Sequence, residues 1–219
     1  TPGIFVGFSR IGLAEVDAVK GTNDKGGGKS GFSAALDVAP AIDPFRSAIA
    51  VNRTAGVTRA VVAPEADSKI FGGQGAIADL GADSSPVTKA RAFQFVEFGE
   101  GGAGLVGGSR SALHTAFRAY LREAQAHTSG NDAFDDDLLK MEDAKALQSV
   151  LRGDTRLLIH VEGTNDILRL LELKRDYPAI KMVFASANIK LVNPLSAPLY
   201  RQIVLPVFVS IAETPNGPF

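Results

Sequence analysis

The sequence predicts an α/β fold of parallel strands joined by helical crossovers. Short apolar runs rich in β-branched and aromatic residues recur along the chain, as buried strands require. From Leu157 onward such runs alternate with helical patterns at intervals of about 25 residues, the rhythm of successive βα units. Parallel strands with right-handed crossovers form either an open doubly wound sheet or a closed barrel, and periodicity alone does not choose between them.

Strands are expected over residues 4–8, 57–63, 92–98, 157–161, 181–185 and 205–211, with further β structure in the interval 64–100. Ser109 or Ser111 starts a helix whose apolar stripe is Leu113, Phe117, Tyr120 and Leu121. A second helix spans about 135–151, its three opening aspartates (Asp135, Asp136, Asp137) suiting the positive end of a helix dipole rather than a calcium loop. Thr164 or Asn165 caps a third over 166–176, which Pro178 ends. Residues 21–31 are polar and glycine-rich and read as a flexible surface loop within one domain spanning 1–219. The abrupt start at Thr1-Pro2-Gly3 and end at Gly217-Pro218-Phe219 suggest that native sequence is missing at both ends.

Composition narrows the function classes. With 45% hydrophobic and 21% charged residues the chain is an ordinary globular sequence. A net charge of −1 gives no footprint for nucleic acid or an anionic membrane surface. No apolar run approaches the roughly 20 residues of a membrane span, and the first residues lack a signal-peptide pattern. Cysteine is absent, which excludes disulfides, thiolate zinc sites and a cysteine nucleophile but suits cytoplasm and periplasm alike.

Two glycine patterns invite nucleotide readings and fail them. Gly28-Lys29-Ser30 ends like a phosphate-binding loop, but the glycine that motif needs at position 23 is Asn23. Gly99-Glu100-Gly101-Gly102-Ala103-Gly104 matches G-x-G-x-x-G. The region about 20 residues on, where a ribose-binding acid should end a strand, is instead helix interior carrying Arg118 and Glu123. The segment reads as a flexible connection.

The segment 1–13, Thr-Pro-Gly-Ile-Phe-Val-Gly-Phe-Ser-Arg-Ile-Gly-Leu, resembles the first barrel strand of metal-dependent amidohydrolases, the imidazolonepropionase-like group in particular. There a Pro-Gly turn leads into a strand ending in His-x-His. Residues 55–62, the glycine-rich 72–76, Leu157-Leu158-Ile159-His160-Val161-Glu162 and Asn165-Asp166-Ile167 resemble later segments of the same group, in the same order. The resemblance implies a TIM-type (β/α) barrel, incomplete, with a β-rich insertion. It also implies a hydrolase acting on carbon–nitrogen bonds other than peptide bonds, through a metal-bound hydroxide.

The departures from that group concern the metal. Phe8 and Arg10 stand where the resemblance places the two histidines, and neither can coordinate a metal. A further histidine position falls near Ser186, and a final aspartate would lie beyond residue 219. His160 remains, with Glu162 on the same strand face by alternation, as candidate metal ligands or acid/base groups. The alternatives are a hydrogen-bonded remnant for His160 and a helix-entry charge for Glu162. Arg10 either binds a carboxylate or phosphate or pairs with Glu162, and Gln74 lies in the glycine-rich segment beside the cleft, so both are substrate-binding candidates. His114 and His127 are expected at the surface. The expectation is a chain with no tightly bound cofactor, catalytically degenerate, serving as a binding or structural subunit for a small molecule or in a homo-oligomer. The alternative is an active hydrolase, then with zinc, completed by residues absent from this chain.

Overall fold

A computed structural model describes residues 3–16, 18–81, 84–128 and 138–185. In chain order the strands and helices are β1 (Ile4–Ser9), α1 (Ser47–Thr54), β2 (Val57–Val62), β3 (Phe71–Asp79), β4 (Val87–Glu97), α2 (Glu100–Leu105), α3 (Arg110–Thr128), α4 (Met141–Leu151), β5 (Arg156–His160), α5 (Thr164–Leu173) and β6 (Met182–Ala185). The six strands form one sheet in sequence order. β1 is parallel to β2, and β4, β5 and β6 are mutually parallel. β3 runs antiparallel to both β2 and β4. Two reversals restore direction, so every strand except β3 points the same way.

The sheet is curled until nearly closed. Phe8 on β1 lies 5.7 Å from the ring of Phe95 on β4 and 6.3 Å from that of His160 on β5. In a flat sheet, with strands about 4.8 Å apart, β1 and β5 would be separated by about 19 Å. On the concave face Phe93, Phe95, Leu158 and Ala185 cluster with Phe8, Val61 and Val183. On the convex face Val96, Leu157, Ile159, Met182 and Phe184 pack under α3, α4 and α5 through Leu113, Phe117, Leu121, Leu147, Ile167 and Leu170. A second convex cluster joins Val6, Ala60, Val62, Ala76 and Ala78 to Leu13, Val38, Ile42 and Ile49. The result is a mixed α/β fold in which helices cover the outside of a curved sheet.

Local sequence accounts for most boundaries. Ser109 Oγ accepts the Ala112 N–H at 3.0 Å, the N-cap expected for α3. The cap of α5 is Gly163, with no side-chain cap bond, rather than Thr164 or Asn165, and regular helix ends at Leu173. α4 begins at Met141; residues 135–137, expected at its start, and the strand expected at 205–211 lie outside the described residues. In the interval 64–100 β3 and β4 form an antiparallel pair. A Cβ at Gly75 would occupy the space of the Phe93 ring, and Gly73, at φ +125°, lets the Leu36 carbonyl close in.

Residues 99–104, expected as a connection, instead form most of α2 and its cap. A Cβ at Gly102 would fall on the Glu97 carbonyl, so the missing side chain lets this short helix seat on the end of β4. Within 21–31 the chain is irregular, and the Asp67 carboxylate accepts the Gly28 N–H at 2.6 Å. Among the described residues no helix is long and apolar enough to cross a membrane.

Candidate functional site

The C-terminal ends of β1, β4 and β5 converge at one mouth of the curled sheet. The parallel pairing of β4 with β5 ends where Glu97 faces His160, and the Phe98 N–H donates to the His160 carbonyl at 2.8 Å. Alternation turns both side chains inward, Glu97 above Phe95 and His160 above Leu158. Nδ1 of His160 lies 2.8 Å from Oε1 and 2.9 Å from Oε2 of Glu97. The Gly99 N–H also donates to Glu97 Oε1, at 3.0 Å.

That pairing raises the pKa of His160 above its ordinary value. The hydrogen bond to Glu97 is the main cause; burial opposes it, the charges of Glu97 and Glu162 add to it, and Arg10 opposes it. The Phe8 ring lies nearly parallel to the imidazole, at 12°. Arg10, just past β1, has its guanidinium carbon 5.8 Å from the Phe8 ring centre. Its Nε is buried with no hydrogen-bond partner. Among the described residues no ion pair includes Arg10, so the expected pairing with Glu162 is not formed.

Glu162 lies two residues past the end of β5, near enough for its charge to raise the His160 pKa. Its Oε2 accepts the Glu100 N–H at 2.9 Å, at the start of α2, and lies 3.8 Å from Arg110. Glu162 is thus a helix-entry charge, as the alternative reading supposed, but for α2 rather than α5. Behind it Asp166 is buried, 2.7 Å from Nη1 of Arg110 and 3.5 Å from Nε2 of His114. His114 packs edge-on against Phe98 at 4.9 Å, so it is not the surface residue expected; His127 closes the last turn of α3.

Gln74 sits elsewhere. It faces Gln94 across β3 and β4 on the convex side, and its amide donates to the Ala35 carbonyl at 3.3 Å. The structure does not bring it to His160. Ser186 lies outside the described residues. Glu97 was not singled out in the sequence, where it sits inside the apolar run 92–98.

Among the described residues the donor set falls short of a catalytic zinc site. Such a site wants three protein ligands and an open position. Both Glu97 oxygens lie against His160 Nδ1, Glu162 serves the α2 amide and Arg110, and β1 offers Phe8 and Arg10. That leaves Nε2 of His160. Among the described residues no three His, Cys, Asp or Glu side chains are grouped as ligands.

No family model matches the chain, and no curated protein matches it. Among solved structures it is similar to an amidohydrolase from Thermotoga maritima MSB8, with a TM-score of 0.68 at 20% identity, over 84% of this chain and 51% of that one. The likeness is one of fold, and the chain spans about half the length of that enzyme.

Proposed function

We propose that the chain is an amidohydrolase-family protein of the imidazolonepropionase-like group, part of a TIM-type (β/α) barrel, whose metal site has given way to an ion pair. On this reading it binds a small molecule at the barrel mouth, as a binding or structural subunit, and does not hydrolyse carbon–nitrogen bonds. The observation that carries it is the engagement of both Glu97 oxygens with His160 Nδ1, opposite Phe8 and Arg10. The sites where the resemblance calls for histidines hold an aromatic ring and a fixed cation, and the surviving histidine is bound to a carboxylate.

A second reading has one observation in its favour. A carboxylate on Nδ1 is the arrangement that orients a zinc-ligating histidine, and it leaves Nε2 open. An active enzyme would then draw its other ligands from outside the described residues. Calorimetric titration of zinc into the wild-type chain and into a Phe8→His, Arg10→His double variant separates the two. The binding reading expects no saturable zinc uptake by the wild type and a gain of about one site in the variant, whose three imidazoles reach the ordinary ligand count. Tight uptake by the wild type would favour the enzyme.

A further inference from the structure

Thr115, Arg118 and Arg122 stand at helical spacing on the outer face of α3, away from its buried stripe of Leu113, Phe117, Tyr120 and Leu121. With Asp176 and Tyr177, just past α5, they line an open groove of about 300 Å³ on the helix-covered side of the sheet. Its members differ in how far they are already engaged. Arg118 Nη1 lies 2.8 Å from Asp176, but the two side chains are 44% and 59% exposed, so this ion pair holds weakly. Arg122 enters no ion pair among the described residues. The Thr115 hydroxyl donates to the Ser111 carbonyl at 2.9 Å, which leaves its methyl as a wall. Tyr177 is fixed from beneath, packed against the convex core with its N–H donating to the Leu173 carbonyl at 3.0 Å. Burial raises the pKa of its phenol and Asp176 adds to that, whereas Arg122 and Arg118 oppose it; both guanidiniums therefore act on one hydroxyl.

We propose that this groove binds a small phosphate monoester, its phosphate bridging Arg118 and Arg122 and its organic group lying along the Tyr177 ring. A phosphate carries about −1.5 to −2 charges at pH 7 and three acceptor oxygens. Two guanidinium forks and a phenolic O–H answer both the charge and the oxygens. A carboxylate, with one charge and two oxygens, would occupy a single fork and leave the second cation unanswered. Arg118 is free to exchange Asp176 for the ligand, because an exposed ion pair contributes little and the Asp176 carboxylate can turn to water. The organic group must be small, since the groove stands at the lower end of the roughly 300–1,000 Å³ of small-molecule pockets. Nothing in this site depends on the barrel mouth or on a metal.

Calorimetric titration of phenyl phosphate into the full chain tests this, with inorganic phosphate, benzoate and phenol as comparisons. Saturable binding of phenyl phosphate is expected, with each of the other three weaker by about fivefold or more, because each lacks the ring, the second charge or the anion. Arg122→Ala and Arg118→Ala should each weaken phenyl phosphate by about tenfold, the loss of a charged hydrogen-bond donor. Asp176→Asn should tighten it by about two- to fivefold, since the carboxylate that competes for Arg118 is gone. Arg59→Ala, which removes an exposed arginine on β2, should leave binding unchanged and so separates this groove from general charge attraction. No saturation up to about 10 mM phenyl phosphate would overturn the proposal. So would inorganic phosphate or benzoate binding equally well, undiminished binding by Arg122→Ala, or the same loss in Arg59→Ala as in Arg122→Ala. The ligand comparison needs only the wild type, so it decides even where a variant does not fold.

Discussion

Glu97 and His160 meet side by side at the end of the parallel β4–β5 ladder, with imidazole Nδ1 within 2.9 Å of both carboxylate oxygens. One peptide later each strand has ended, so the ladder itself fixes the geometry of the pair. The hydrogen bond favours the protonated ring over the neutral one and outweighs the opposing effect of burial.

Stability should therefore depend on pH through this pair. A histidine whose pKa is raised in the fold contributes stability that is fully present below its unfolded value, 6.5, and is lost as pH rises through the folded value. Glu97→Gln should lower stability by about 1–3 kcal/mol near pH 6, with a smaller gap near pH 9. Urea unfolding of the two proteins across that range is the check; a gap that does not change with pH would show that His160 is not the titrating partner.

Gly102→Ala should disturb the same pair from outside. The added Cβ would collide with the Glu97 carbonyl, so α2 must shift off the end of β4. A loss of about 1–3 kcal/mol is expected, as for other overpacked sites. Gly104, in the same helix, has open space around it, and Gly104→Ala should be neutral or stabilising by up to about 1 kcal/mol. Thermal unfolding of both variants decides; equal effects would mean that the contact at Glu97 is not what selects glycine.

Asp143→Ala should be among the more damaging single substitutions. This carboxylate is fully buried on α4 and accepts the Ser33 N–H at 2.9 Å, the Ala35 N–H at 2.8 Å and the Ser33 hydroxyl at 3.2 Å. It ties the β1–β2 connection to the helix layer, and the same segment bonds β3 through Gln74. Removing it strands two backbone donors, at a cost of about 3 kcal/mol. A change under about 0.5 kcal/mol in the unfolding free energy, measured by urea denaturation, would imply that water replaces the carboxylate.

Much of the fold is legible in the chain because burial writes itself into side chains. β1, β2, β5, β6 and the second half of β4 are apolar runs, while β4 begins at Val87, before the expected 92, in a polar, exposed stretch; the Leu113, Phe117, Tyr120 and Leu121 stripe of α3 is buried as its spacing predicts. The bounds of β3, within the interval expected to hold further β structure, and the whole of α2 are hidden for a related physical reason. Gly72, Gly73, Gly75 and Gly102 let rings and carbonyls approach, and the glycines of both segments erase the periodic signal. His160 is legible from its place at a strand end. Its partner is not, because Glu97 lies 63 residues earlier and meets it only through strand pairing. The Arg110–Asp166–His114 group unites α3 with α5 across the fold, and no spacing rule reports it.

On the reading proposed above, this mouth holds a hydrogen-bonded Glu97–His160 pair and a guanidinium where the resemblance calls for a metal. Elemental analysis of protein purified without chelator and then dialysed is the decisive measurement. Far less than one equivalent of zinc per chain is expected, unchanged by His160→Ala. About one zinc per chain, the stoichiometry of a single catalytic site, lost on His160→Ala, would contradict it.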